Sequence, residues 1–234
     1  NPNLNEGYNG AFSASRAASF TGEGAFNVFD NRVGAFGDDG FGIEPTAFPW
    51  SDWVQVDLDA PHTLTHFTLA SESSFSDGSW DPHIWAIEGS NDGGQTWDVI
   101  FLRDNADQSV WTERSQVIRF DAGRHYAMPP AYRSFRFFNN RLEELWGLRL
   151  GELELFGQPH QCRISEVRRD QDGAIDLEWT SIPGVTYAIE ESDDLQTWRE
   201  VVDSCPSGGA QSSYRITAGT EPAVGTRFFR VREQ

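Results

Sequence analysis

The chain has 234 residues, 9 Trp and 17 Phe, which is too aromatic for a disordered chain, and no run reaches the ~20 apolar residues of a membrane-spanning helix. Its 22 Gly and 11 Pro suit many short elements joined by turns, with neither heptads nor a collagen-like glycine period. A net charge of -18 argues against nucleic acid, anionic lipid and strongly anionic polysaccharide as partners, because each rewards a positive surface.

In chain order, apolar and polar residues alternate with a period of two over 53–60 (WVQVDLDA), 64–71 (LTHFTLAS), 84–90 (IWAIEGS), 97–102 (WDVIFL), 115–120 (SQVIRF), 132–138 (YRSFRFF) and 150–156 (LGELELF). That period predicts half-buried antiparallel strands. Residues 143–148 suggest at most a single helical turn. Gln158, Pro159 and His160 read as a linker. Six further short strands follow: CRISEVRR, AIDLEW, TYAIEES, TWREVV, SYRIT and RFFRVR. The fold class is all-β, with one domain over 1–157 and a small second β-sandwich over 160–234.

One pattern occurs twice. IEGSNDGGQTW spans 87–97 and IEESDDLQTW spans 189–198. Each reads as a strand, an Asp-bearing turn, and a Thr-Trp pair opening the return strand, with the Trp covering the open face of the hairpin. The flanking segments do not match, so a recurrent hairpin solution fits better than a tandem duplication.

All 18 basic residues are Arg. An acidic, lysine-free surface suits a salty environment, where repulsion is screened, and GC-rich codon usage accounts for it equally well. The chain begins at Asn1, which reads as a mature or excised piece whose signal peptide has been removed. Cys162 and Cys205 are compatible with one disulfide, and a secreted setting favours it. Neither G-x-S-x-G, H-E-x-x-H nor a P-loop occurs, and among 36 acidic residues any glycosidase-like pair can be named. The chain is expected not to be an enzyme, though it suits an accessory region of a larger secreted one.

An ordered motif series runs through the first segment: Ala25–Asp30 (AFNVFD), Trp53–Leu58 (WVQVDL), Asp81–Gly93 (DPHIWAIEGSNDG) with Thr96 and Trp97, Tyr132–Phe138, and Leu150–Gly157. In this order it resembles the discoidin, or coagulation factor V/VIII type C, domain, the galactose-binding-like jelly roll of many carbohydrate-binding modules. The second segment carries Leu177-x-Trp179, Pro183-Gly184-x-x-Tyr187, Glu190–Trp198 and Arg227–Val231. It resembles the small, fibronectin-III-like C-terminal sandwich of secreted planctomycete and verrucomicrobial proteins. Both resemblances imply a secreted or cell-surface protein.

The first resemblance implies one structural Ca2+. Asp30 and Glu152 occupy the matching carboxylate positions, and the carbonyls of Asn27, Arg32, Ala35 and Gly151 would complete an all-oxygen shell. Val33, Gly34 and Ala35 lack the hydroxyl common late in that loop, and Asp30 capping its own turn is the simpler alternative. Glu154 shares the strand face of Glu152.

The resemblance also implies a glycan site on loops at one end of the barrel. A sugar offers apolar faces and a hydroxyl rim, so its site needs exposed aromatics among Arg, Asn, His or carboxylates. The loop candidates are Trp50, Trp80, His83, Trp111, Asn139, Arg141 and Trp146. The aromatics could instead pack their loops, Arg141 could pair with Glu143 or Glu144, and His83 could cap a hairpin. Trp53, Trp85 and Trp97 lie on strand motifs and are expected in the core; His62 and His66 are expected at the surface. The expected function is calcium-stabilised, non-catalytic binding of a neutral or galactose-like polysaccharide or glycan. A surface adhesion or protein-interaction module is the alternative.

Overall fold

The computed structural model describes residues 10–16, 24–34, 41–43, 50–73, 80–105, 109–141, 148–217 and 226–234, with Trp50 and Arg141 described in backbone only. The chain divides into two compact units, Asn1–Pro159 and His160–Gln234.

In the first unit the elements are β1 (Gly10–Ala14), a 3₁₀ turn at Ala25–Phe29, β2 (Phe41–Ile43), β3 (Trp50–Ala70), β4 (Ile84–Ser90), β5 (Asp98–Asp104), β6 (Val117–Asp121), β7 (Ala131–Arg141), β8 (Leu148–Leu150) and β9 (Glu152–Pro159). The sheet order is β1-β3-β7-β4-β5, with β6 and β9 also pairing with β3, and β2 pairs with β8. The alternating runs at 53–60 and 64–71, expected as two strands, form the single strand β3. Pro61 explains both the expectation and the result. It has no N–H to give to a ladder, and the β3–β7 register shifts between Asp57 and His62. Before the shift β3 pairs with β1 and β7; beyond it β3 keeps β7 at His62 and Thr63 and pairs with β9 and β6.

Alternation then fills the core. Val54, Val56, Phe67 and Leu69 of β3 face Trp85, Ile87, Phe120, Phe135, Phe137 and Leu153. Phe67 lies 4.8 Å from Phe120 and 6.2 Å edge-on from Trp85, which lies 5.2 Å from Phe137. Each such ring contributes roughly 1.5–3 kcal/mol by burial.

The second unit contains β10 (Ile164–Arg169), β11 (Ile175–Thr180), β12 (Thr186–Ser192), β13 (Arg199–Pro206), β14 (Gln211–Ile216) and β15 (Phe228–Glu233). They form two three-stranded sheets, β10-β11-β14 and β13-β12-β15. Trp179 of the first meets Tyr187 of the second at 5.9 Å, and the Tyr187 hydroxyl accepts the Ile182 N–H at 2.8 Å. Both are fully buried. Cys162 and Cys205 are free thiols.

The recurring hairpin is built alike in both units. Asp92 accepts the N–H groups of Gln95 and Thr96 at 2.9 and 3.0 Å and the Ser90 hydroxyl at 2.8 Å. Asp194 accepts those of Gln196 and Thr197 at 2.8 and 2.7 Å and the Ser192 hydroxyl at 3.0 Å. The tryptophans are half-buried, so Trp97 is not the core residue expected. Arg136 lies 4.1 Å over Trp97 and bonds Glu88 at 2.6 Å; Arg230 lies 4.2 Å over Trp198 and bonds Glu190. Each Glu is the cross-strand partner of its Arg. A planar guanidinium can hold both partners, whereas an ammonium cannot stack. Arg136→Lys is expected to cost about 1 kcal/mol, and a double-mutant cycle with Trp97→Leu to show coupling of ~0.5–1 kcal/mol by denaturant unfolding. Additive effects would mean that the stacking contributes nothing.

Candidate functional site

The start of β3 lies beside the end of β7, pairing Trp50 with Arg141 and Asp52 with Asn139. Asn139 also pairs with Trp85 near the start of β4, so the 80–83 turn enters at the same end of the sheet. Two buried carboxylates pin this end. Asp52 accepts Arg16 through Nε at 2.9 Å and Nη2 at 2.6 Å, and the Ser15 hydroxyl at 3.1 Å. Asp81 accepts Arg114 in bidentate fashion, with Nη1 and Nη2 both at 2.7 Å, and the Ser109 hydroxyl at 2.6 Å. Such forked pairs fix geometry as well as charge. They tie segments 15–16 and 109–114 to the strands that carry the candidates.

Trp80 is half-buried, with the Arg149 guanidinium 4.9 Å from its ring centroid. The Arg149 N–H donates to the Trp80 carbonyl at 3.2 Å, so the two are held by backbone as well as by stacking. His83 is half-buried immediately before β4. Asn139 is buried at 2% exposure, and its Oδ1 has no hydrogen-bond partner among the described residues. Trp111 corrects the sequence expectation of a loop platform. It is 4% exposed, packs in the core, and donates its indole N–H to the Leu69 carbonyl at 3.3 Å. Trp146 lies outside the described residues. Trp50, Trp80, His83, Asn139 and Arg141 thus come to one end of the sheet, while Trp111 is removed into the core.

Asp52, Asp81, Arg16, Arg114 and Arg149 were missed as site-building residues. Asp81 stands inside the DPHIW motif, yet nothing in its spacing names a partner 33 residues away.

A second constellation lies at the start of β9. Asp30 and Asn27 are buried at and just before the end of the 3₁₀ turn, and Glu152 is buried at the first position of β9. Glu152 accepts the N–H of Asn31 at 3.1 Å on one oxygen and that of Arg32 at 3.2 Å on the other. Arg32 is exposed, and Ala35 lies outside the described residues. The Gly34 N–H donates to the Gly151 carbonyl at 3.0 Å, and the Ser73 N–H to the Gly34 carbonyl at 3.3 Å. Gly151 is required here, since a Cβ would sit 2.5 Å from the Ser71 carbonyl oxygen. Burial pushes the Glu152 carboxyl up to about 9. The two N–H donors oppose the shift, and the Asp30 and Glu154 carboxylates add to it. Among the described residues no three Asp, Glu, His or Cys side chains converge as a metal site.

His62 and His66 are half-buried on β3, and the His66 ring stacks on Phe156 at 4.3 Å. Burial lowers the pKa of His66, ahead of the Arg119 charge.

No protein-family description and no curated protein matches the chain by sequence. Among solved structures, a fucolectin from striped bass (Morone saxatilis) serum is similar over 99% of this chain and 92% of its own, with TM-score 0.50 and 12% identity. Chitosan-binding module 1 of a chitosanase/glucanase from Paenibacillus sp. IK-5 covers 67% of this chain and 100% of its own at TM-score 0.45 and 18% identity. The module CpGH89CBM32-5 of Clostridium perfringens, solved with GalNAc-β-1,3-galactose, covers 65% of this chain and 98% of its own at TM-score 0.47 and 14% identity. None of these bears on the fibronectin-III-like resemblance of the second unit. Among the described residues no helix is long and apolar enough to cross a membrane. The chain has an all-β, sandwich-like architecture, and its fold is galactose-binding-like.

Proposed function

We propose that the chain is a non-catalytic carbohydrate-binding module, secreted or displayed at a cell surface, possessing a structural calcium in its first unit. The observation that carries this reading is the built end of the sheet. Trp80 is braced by Arg149, its turn is pinned by the Asp81–Arg114 pair, and Asn139 and the paired positions Trp50 and Arg141 lie alongside. An indole face suits the C–H face of a sugar, and guanidinium, imidazole and amide groups suit its hydroxyls. The net charge of -18 favours a neutral, galactose-like glycan over a polyanion. Accessory attachment to a larger secreted polypeptide fits the same role.

Calcium fits the residues present on one observation: Glu152 is a buried carboxyl beside a second buried acid, Asp30, and burial makes its ionisation unfavourable. A divalent cation bound there would supply the missing positive charge, with Asp30 and Glu152 as its carboxylates and the carbonyls of Asn27, Arg32, Ala35 and Gly151 as further oxygens.

The test is affinity electrophoresis of the intact chain in gels containing neutral marine or plant galactans, with and without calcium. Trp80→Ala is expected to weaken retardation at least tenfold, or about 1.4 kcal/mol. No retardation by any neutral polysaccharide, or full retention in Trp80→Ala, would reject this site.

A further inference from the structure

We propose that the second unit binds an extended, acidic peptide strand in the groove between β10 and β15. The two strands are the outer members of their sheets: among the described strands β10 pairs only with β11, and β15 only with β12. Between them lies a cavity of about 380 Å³, lined by Ile164, Val167 and Ile175 on one side and Arg227, Phe228 and Phe229 on the other, with Arg169 also in its wall. That volume is within the range of ligand-sized sites.

The direction of the β15 backbone decides what the groove can hold. The N–H of Gln234, just beyond β15, donates to the carbonyl of Thr186, the first residue of β12. In an antiparallel ladder alternate residues turn their N–H and C=O groups the same way, so even-numbered residues of β15 face β12 and odd-numbered ones face outward. The Cys162 thiol on the Val231 carbonyl, at 3.9 Å, agrees from the outer side. The N–H and C=O of Phe229 therefore point away from β12 and have no strand partner among the described residues. Phe228 and Phe229 both line the cavity although strand neighbours send their side chains to opposite faces, so the cavity runs along the strand's edge. An open edge beside an apolar wall is the arrangement that accepts an added strand: backbone bonds hold it, and alternate side chains select it.

The charges select its chemistry. Arg169 is exposed and forms no ion pair among the described residues. Arg227 bonds Glu191 through Nη2, while its buried Nε has no partner among them. Among the described residues no carboxylate lines the cavity, in a chain of net charge -18. A strand with apolar residues against Val167 and Ile175 and carboxylates toward the two guanidinium groups satisfies all of these features. This proposal is independent of the glycan reading.

The experiment is an amide chemical-shift titration of the intact chain with an acetylated, amidated octapeptide of alternating Val and Glu. Shifts are expected at the Phe229, Val167 and Ile175 amides. Binding is expected to weaken at least tenfold with N-methylation of alternate peptide residues, in Arg169→Glu, and in Val167→Glu. Val167 is 56% exposed, so the last variant keeps its fold. A Val/Arg octapeptide is expected not to bind. Four results would each overturn the proposal. They are no shift at millimolar peptide, equal binding by the N-methylated peptide, a trigalacturonate that shifts these amides where the peptide does not, and a concentration-dependent dimer abolished by Val167→Glu, which would make the occupant a second copy of this chain.

Discussion

In chelator at pH 8, Glu152→Gln is expected to melt above the parent chain, and in millimolar calcium the order is expected to reverse. Burial pushes the pKa of the Glu152 carboxyl from 4.5 to about 9. A raised folded pKa contributes stability that is full below about 4.5 and is lost as pH climbs through about 9. Each unit between costs about 1.4 kcal/mol, so at pH 8 the parent forgoes on the order of a few kcal/mol that a neutral Gln does not. Calcium changes the sign. It favours the ionised carboxylate, and only an excess over Kd of about ten-thousandfold, adding about 5.5 kcal/mol to the parent, reverses the order. Gln carries no charge to answer the cation, so its gain is small. Asp30→Ala is expected to lose the calcium response as well. Calorimetric scans at pH 5 and pH 8, with calcium and with chelator, check all of this. An equal calcium shift in parent and Glu152→Gln would remove the metal from this position.

The second large effect is expected from Arg114→Ala. The Asp81 side chain is 3% exposed and receives two charge-assisted bonds from Arg114. Removing the guanidinium leaves a buried carboxylate that still accepts the Ser109 hydroxyl but has lost its counter-charge. Breaking one side of a buried pair costs roughly 3–5 kcal/mol. For a unit of this size that is a fall of about 10 °C in its transition. The 80–83 turn loses its anchor to the 109–114 segment, so galactan retardation is expected to weaken in the same variant. Replacing both partners, Asp81→Leu with Arg114→Met, removes the uncompensated charge and is expected to recover most of the stability without restoring binding. A single variant within 1 kcal/mol of the parent would show that the pair does not hold this end together.

Much of the strand plan was legible from the period-two alternation of residue types, although β4 is buried at all but its first position rather than half-buried. The run IWAIEGS is β4 residue for residue, and 132–138 lies wholly inside β7. The joining of 53–60 to 64–71 was not legible. A proline between two alternating runs reads locally as a break, whereas here the ladder changes partners around an unbroken chain. Trp111 was misread for a related reason. Its neighbours are polar and loop-like, and only the packed sheet shows that the indole reaches the Leu69 carbonyl. The Trp97 and Trp198 sites show the limit from the other side: both turns were plain in sequence, but the arginines over them come from distant strands.

The sequence by itself determined the class of fold, the positions of most of the longer strands, the Asp-centred turns and the acidic surface, because each depends on residues a few positions apart or on composition alone. Only the tertiary structure decided which charges are buried and paired, which tryptophans stay at the surface, and where strand edges are left open. Those outcomes depend on contacts across 30 to 120 residues, such as Asp81 with Arg114 and Glu152 with the Asn31 and Arg32 amides. Burial is a property of the assembled core, and no local pattern encodes it.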